Sequence, residues 1–249
     1  MNKYSNTLSL VDDFFRRDNI EFWLEAGTAL GAYRDQAILP WDHDIDIAIW
    51  FKDLPSEPIF KKYFESKGFD VVFQKNFIYL DNIVQLKLKD KSKEDLIDVD
   101  IYLYKEFKEY AVMRWINSPI GVFSKIKQKL LFKFNKIINT EDKRFINNNF
   151  LYRNKLLIFF FKIFLFLYIN TTKCYCHKFP INFFKKLQIY KLYGIEVKIP
   201  YDIEDFLEYR YGSNWKNKDK NYNQSGKWKK ASARKKVLMN FLSMPEFRE

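Results

Sequence analysis

The stretch Trp41–Trp50, WDHDIDIAIW, sets Asp42, Asp44 and Asp46 at every second position of an otherwise apolar run. Alternation of this kind reads as a β-strand, whose side chains alternate between two faces. The three aspartates then share one face, and His43, Ile45, Ile47 and Ile49 take the other. The isoleucine face can pack on a core, whereas the aspartate face must look onto water or a ligand. Neighbouring aspartates would have Cα atoms about 6.6 Å apart, from the strand rise. At an effective dielectric of about 20, two such charges repel by roughly 2.5 kcal/mol. A fold does not gather three of them for stability, so a positive partner is expected. Hard divalent cations, Mg²⁺ (or Mn²⁺), bind carboxylate oxygens together with substrate phosphates. A second acidic pair stands in LIDVDIYLY, where Asp98 and Asp100 share a face and alternate with Val99 and Ile101. The bland alternative is a solvated acidic edge. Two such pairs embedded in β-branched runs favour a metal–phosphate site.

Upstream, EAGTALGAYR reads as the end of a strand at Gly27-Thr28 followed by a short helix. Glycine there permits close approach of a phosphate. The first N–H groups of the helix and the Thr28 hydroxyl can donate to phosphate oxygens. Gly31 lets a second element pack closely, and Arg34 offers a bidentate phosphate contact.

The elements that must position these residues follow from periodicity. Leu8, Val11, Phe14 and Phe15 have helical spacing. Residues 55–67 read as a helix through Ile59, Phe60, Tyr63 and Phe64, stopped by Gly68. FDVVFQ, NFIYLD, IVQLKLKD and LIDVDIYLY are strand-like, at hairpin-length spacings that point away from a doubly wound parallel sheet. The fold expected is α/β (α+β), a mixed-sheet core over residues 1–105. A basic, apolar helical region is expected over 106–188, and a C-terminal helix motif with a basic tail over 189–249. Within the middle region, GVFSKIKQKLLFKFNKII places Lys125, Lys129, Lys133 and Lys136 beside an apolar helical face. The run LLIFFFKIFLFLYI, residues 156–169, is short for a membrane span, which needs about 20 residues. In PYDIEDFLEYRYG, Asp202 caps a helix that Gly212 ends.

At this point the chain resembles a known family. GTALGAYRDQAILPWDHDIDIAIW looks like the signature of the LicD family of phosphocholine transferases, relatives of the fukutin proteins within the nucleotidyltransferase-fold superfamily. LIDVDIYLY resembles a later strand of that family, and YGIEVKIPYDIEDFLEYRYGSNW its C-terminal pattern. The resemblance implies Asp44, Asp46 and Asp100 as metal ligands, with Asp42 beside them and Asp98 as second choice. Where the family often carries a Pro and a further Asp after that strand, this chain has LYKEF. It implies a metal-dependent phosphotransferase that moves a phospho-alcohol such as phosphocholine from a CDP-linked donor to a hydroxyl of a cell-surface glycan (lipopolysaccharide, capsule or teichoic-acid type). Gly27, Thr28 and Arg34 would hold the phosphates, and Asp42 or Asp46 would take the acceptor proton. Two alternatives stand beside it. One is a nucleotidyltransferase releasing pyrophosphate from an NTP. The other is a non-catalytic basic membrane- or glycan-binding protein.

The remaining signals narrow the setting. With 249 residues, 47% hydrophobic and a formal net charge of +12, the chain can bury a core and favours polyanionic partners. No nucleic-acid module is recognisable, so no nucleic acid is expected. Cys174, Cys176 and His177 lack the spacing and second half of a zinc site. The N-terminus has no apolar run of signal-peptide length, so a cytoplasmic protein is expected, with the basic helix and apolar run offering peripheral contact to an anionic membrane. His43 reads as a packing residue. By parity Trp50 shares the face of the first aspartates, and Tyr102 and Tyr104 that of Asp98 and Asp100. With Trp41 nearby, these rings are candidates for binding a quaternary ammonium.

Overall fold

The computed structural model describes residues 2–75, 83–92, 95–114, 173–218 and 236–240, together with Phe159, Phe160 and Ile163. Two compact units are present. The first gathers Met1–Gln74, Ile83–Arg114 and Cys176–Val237; the second gathers Lys75–Asn82, Trp115–Tyr175 and Leu238–Glu249.

The first unit opens with α1 (Lys3–Arg17), whose N-cap Asn2 accepts the Ser5 N–H at 2.9 Å. As its spacing requires, α1 buries Leu8, Val11, Phe14 and Phe15. Then come β1 (Phe22–Leu24), α2 (Ala26–Asp35), β2 (Asp44–Trp50), α3 (Glu57–Ser66), β3 (Phe69–Lys75), β4 (Ile83–Asp90), β5 (Asp98–Phe107) and β6 (Tyr110–Arg114). After these come β7 (Lys173–Pro180), the single turn α4 (Asn182–Lys185), β8 (Leu187–Leu192), β9 (Ile195–Pro200) and α5 (Ile203–Tyr211).

The sheet is mixed, as expected. β1 is antiparallel to β2, and β2 runs parallel to β5. The other edge of β5 is shared: β4 pairs along Val99–Tyr102, and β6 along Tyr104–Phe107. β6 pairs antiparallel with β7, and β8 with β9 forms a separate hairpin. The core of the first unit is aromatic. Phe14 packs on Phe60, Tyr63 and Phe64. Elsewhere Trp23, Trp50, Tyr104 and Phe184 meet with centroids 5.1–6.5 Å apart.

Four expectations change. β1 stops at Leu24 and α2 begins at Ala26, so Gly27-Thr28 lies in the first helical turn rather than at a strand end. Ile59 is exposed, and α3 buries only Phe60 and Phe64. Asp202 holds the N-cap position of α5, but its side chain makes no capping hydrogen bond. The described second half carries the strands β7, β8 and β9 where helix was expected; hairpin pairing there satisfies backbone groups that a helix would have satisfied alone. The segment NFIYLD, the basic helix read at 121–138 and most of the run 156–169 lie outside the described residues. Within that run, Phe159, Phe160 and Ile163 are helical and exposed. Among the described residues no helix is long and apolar enough to cross a membrane.

Gly31 shows why α2 sits where it does. A Cβ there would lie 2.6 Å from the Ala37 carbonyl oxygen and 3.1 Å from Leu39, so only glycine lets the following loop fold back on the helix. Gly31→Ala should therefore lower unfolding free energy by about 1–3 kcal/mol, the usual cost of overpacking. An unchanged urea midpoint would count against this packing.

Candidate active site

Parallel pairing of β2 with β5 sets Asp44 opposite Asp98 and Asp46 opposite Asp100. Antiparallel β4 adds Lys87 opposite Asp100 and Gln85 opposite Tyr102. One sheet face thus carries a row Asp46–Asp100–Lys87 across three strands. Carboxylate oxygens of Asp44, Asp46 and Asp100 lie within 4.8 Å of one another; Asp46 and Asp100 are buried and Asp44 half-buried.

Burial, then Asp44 and Asp100, pushes the Asp46 carboxyl well above the usual range. Burial, then Asp100, raises Asp44. Two lysines offset part of this charge. Lys87 Nζ donates to Asp100 Oδ2 at 2.5 Å, and Lys89 Nζ to Asp98 Oδ2 at 2.5 Å. The second Asp98 oxygen accepts the Asp90 N–H. When all four carboxylates (Asp44, Asp46, Asp98 and Asp100) are ionised, two ammoniums leave two negative charges, the amount one divalent cation balances. Asp100 Oδ1 is buried without a hydrogen-bond partner. A hard-oxygen donor set, residual charge and an unpaired inward oxygen together fit a cation such as Mg²⁺ or Mn²⁺. Asp44, Asp46 and Asp100 are the residues that would hold it.

The triad is braced from beneath. The Asp46 N–H donates to Thr28 Oγ1 at 2.8 Å, and the Glu25 N–H donates to the Asp46 carbonyl at 3.0 Å. Glu25, fully buried, accepts from the Tyr104 hydroxyl at 3.1 Å and from the Arg210 guanidinium of α5. Between Glu25 and Gly27, Ala26 takes a left-handed φ of 48°, an uncommon conformation for a residue with a side chain.

The structure brings Asp44, Asp46 and Asp100 together and gives the other expected site residues different surroundings. Asp42 precedes β2 rather than lying in it. Its carboxylate closes over Gly27, where an added Cβ would lie 2.4 Å from Oδ2. Burial first, and Asp44 second, push Asp42 up to about 6. Thr28 is fully buried with its oxygen on β2, so it braces Asp46 instead of facing a phosphate. Arg34, at the far end of α2, is bound bidentately by Asp35 and donates to the carbonyls of Trp215 and Asn217. Its donors hold the C-terminal segment, not a phosphate. His43 is exposed instead of packed, because the strand begins only at Asp44. Trp50 and Tyr104 are buried in the aromatic core and do not wall the acidic site, whereas Trp41 is half-buried against the hydrophobic core. Tyr102 is buried near Asp46 and Asp100. Cys174, Cys176 and His177 lie on β7.

Glu25, Lys87, Lys89 and Arg210 were missed from sequence. The signals existed: Gln85, Lys87 and Lys89 alternate with Leu86 and Leu88, and Arg210 falls on the Ile203–Phe206–Leu207 stripe of α5.

The mixed sheet thus presents paired acids on adjacent parallel strands, a donor set suited to a hard divalent cation. Known proteins share part of this sequence. Residues 19–93, from just before β1 to just past β4, are similar to the LicD family model, described as LicD/FKTN/FKRP, nucleotidyltransferase domain. It is 30% identical over 99 residues to an uncharacterized protein of Rickettsia prowazekii, covering 39% of this chain and 37% of the relative. It is 46% identical over 35 residues to human ribitol 5-phosphate transferase FKRP, covering 14% and 7%. It is 27% identical over 99 residues to human ribitol-5-phosphate transferase FKTN, covering 40% and 20%. Each match spans well under half of the relative's length.

Two tests follow. Asp42 titrates at about 6 in the fold against an ordinary 3.8. The fold therefore holds its proton more tightly, a contribution that is full below pH about 4 and lost as pH rises through about 6. In EDTA, Asp42→Asn should gain thermal stability relative to the parent as pH goes from 4 to 7; a parallel pH dependence of the two melting curves would contradict this. Separately, Arg210→Met strands the buried Glu25 charge and should cost about 3–5 kcal/mol. Adding Glu25→Gln should recover part of that loss in denaturant titrations.

Proposed function

We propose that this chain is a cation-dependent phospho-alcohol transferase, moving the phospho-alcohol of a CDP-linked donor to a hydroxyl of a cell-surface glycan or glycolipid. The observation that carries the reading is the triad Asp44, Asp46 and Asp100, held on paired parallel strands with Asp42 beside it. Bound there, a divalent cation would offset charge on the donor diphosphate and on the leaving nucleotide. Asp42, pushed up to about 6, is suited to take the proton of the acceptor hydroxyl near neutral pH. Thr28 and Glu25 keep Asp46 in register through its N–H and carbonyl. Gly27 leaves the room in which Asp42 closes over the first turn of α2.

The alcohol we favour is a polyol such as ribitol rather than choline. A quaternary ammonium is held by aromatic faces. Trp50 and Tyr104, the rings read for that task, are consumed in the core. Among the described residues the acidic face instead offers the partly exposed Lys87 and Lys89, groups suited to phosphates and hydroxyls. FKRP and FKTN, which the chain resembles, are named as ribitol 5-phosphate transferases. Peripheral contact with the cytoplasmic face of an anionic membrane, through residues 121–169, is the placement that the sequence favours.

The competing reading, NMP transfer from an NTP, uses the same acids and draws on the nucleotidyltransferase description of the matching family. Product analysis separates them. Incubation with CDP-ribitol, CDP-choline or NTPs and a glycan acceptor should release CMP, with CDP-ribitol preferred; pyrophosphate release from an NTP would replace the proposal. Asp46→Asn should lower turnover by about 100-fold or more, since cation stabilisation is worth several kcal/mol. Full activity of that variant in excess Mg²⁺ would sink the assignment.

A further inference from the structure

Lys87 touches the triad directly. Its ammonium is bonded to Asp100 Oδ2, while Asp100 Oδ1 is buried with no partner. The two oxygens of one carboxylate are thus divided: one is held by a fixed charge from β4, the other is buried and unpaired. At 2.5 Å from an oxygen of Asp100, the ammonium stands beside the place where a cation would sit. Its side chain is one-quarter exposed, so one side of the ammonium remains open to a ligand.

A positive charge at that distance repels a divalent cation and attracts a phosphate. Two consequences follow, and they have opposite signs. Alone, the cation binds more weakly because Lys87 is present. With a diphosphate bridging the cation and Lys87, the same ammonium strengthens the complex. We propose that Lys87 is a phosphate-binding residue that couples occupancy of the cation site to arrival of the nucleoside diphosphate donor, so that each ligand tightens the other. This rests on the triad being the cation site. Linkage requires the coupling to be reciprocal. Lys89 does not fill this role: it pairs with Asp98, which lies outside the triad.

The test measures Mn²⁺ affinity by titration calorimetry or electron paramagnetic resonance, with and without CDP as the diphosphate probe, and needs no turnover. In the parent, CDP should tighten Mn²⁺ binding. In Lys87→Met, Mn²⁺ alone should bind about 5-fold tighter or more and CDP should bind more weakly, so the coupling factor falls about 10-fold. Lys87→Arg, which keeps the charge, should retain the coupling to within about 2-fold. Lys198→Met, which removes only the surface pair with Glu21, should change nothing. If Lys87→Met does not fold, Lys87→Gln is read by the same criteria. A coupling factor unchanged in the methionine or glutamine variant overturns the proposal, as does an equal fall in Lys198→Met. Asp46→Asn and Asp100→Asn separate the two levels. If both retain parental Mn²⁺ affinity, the cation site itself is misassigned; if both lose it while the lysine variants keep the coupling, only the role of Lys87 fails.

Discussion

Electrostatic repulsion between carboxylates on adjacent strands is the constraint around which this unit is organised. Parallel pairing of β2 and β5 places acids opposite acids, twice over. Burial of Asp46 and Asp100 removes the water that would otherwise screen them. Left to itself such a row would part the strands. It is held by lysines from β4 on one side and by backbone bonds from β1 and α2 on the other. The residual charge that these leave suits a hard, doubly positive ion.

Sequence-distant segments meet in this arrangement. α5 sends Arg210 to Glu25, the residue at the hinge between β1 and α2. Tyr190 donates to the Ala32 carbonyl, Tyr193 accepts the Ile38 N–H, and Arg34 grips the chain at Trp215. The motif around Gly27–Arg34 and the motif around Tyr211–Trp215 are therefore two halves of one support. This explains why Arg34, attractive as a phosphate ligand in isolation, is structural: the segment it holds would otherwise leave the back of α2 uncovered. The buried Glu25–Arg210 pair gives positional specificity at a site that tolerates little drift, since Asp46 hangs from the same turn.

The same sheet face divides its labour along the strand. At the start of β2 and β5 it presents acids; at the end it presents Trp50 and Tyr104, covered by Phe184, with Phe179 and Phe206 beyond. Shared parity made these rings look like part of the site. Depth along the strand decides otherwise: Phe184 of α4 packs on Trp50 and Tyr104, and Phe206 of α5 packs on Phe184. The aromatic end anchors the sheet and the acidic end remains for a ligand.

Much of this was legible in the chain itself. Alternation alone put Asp44 with Asp46 and Asp98 with Asp100, since the strand period is two and any other register would bury charge in the isoleucine face. It also identified α1, α3 and α5, and it marked Gly31 as a point of close packing. Three things were decided only by tertiary structure. The parallel register joining β2 to β5 is a pairing across about fifty residues, and no local period encodes it. Partner choice converted Thr28, Arg34, Trp50 and Tyr104 from ligand candidates into braces and core, because a hydroxyl, a guanidinium or a ring is used by whatever packs against it. Lys87 became part of the site only when β4 fell beside β5, for a lysine in an alternating strand looks like any solvated residue until the fold sets it against a carboxylate.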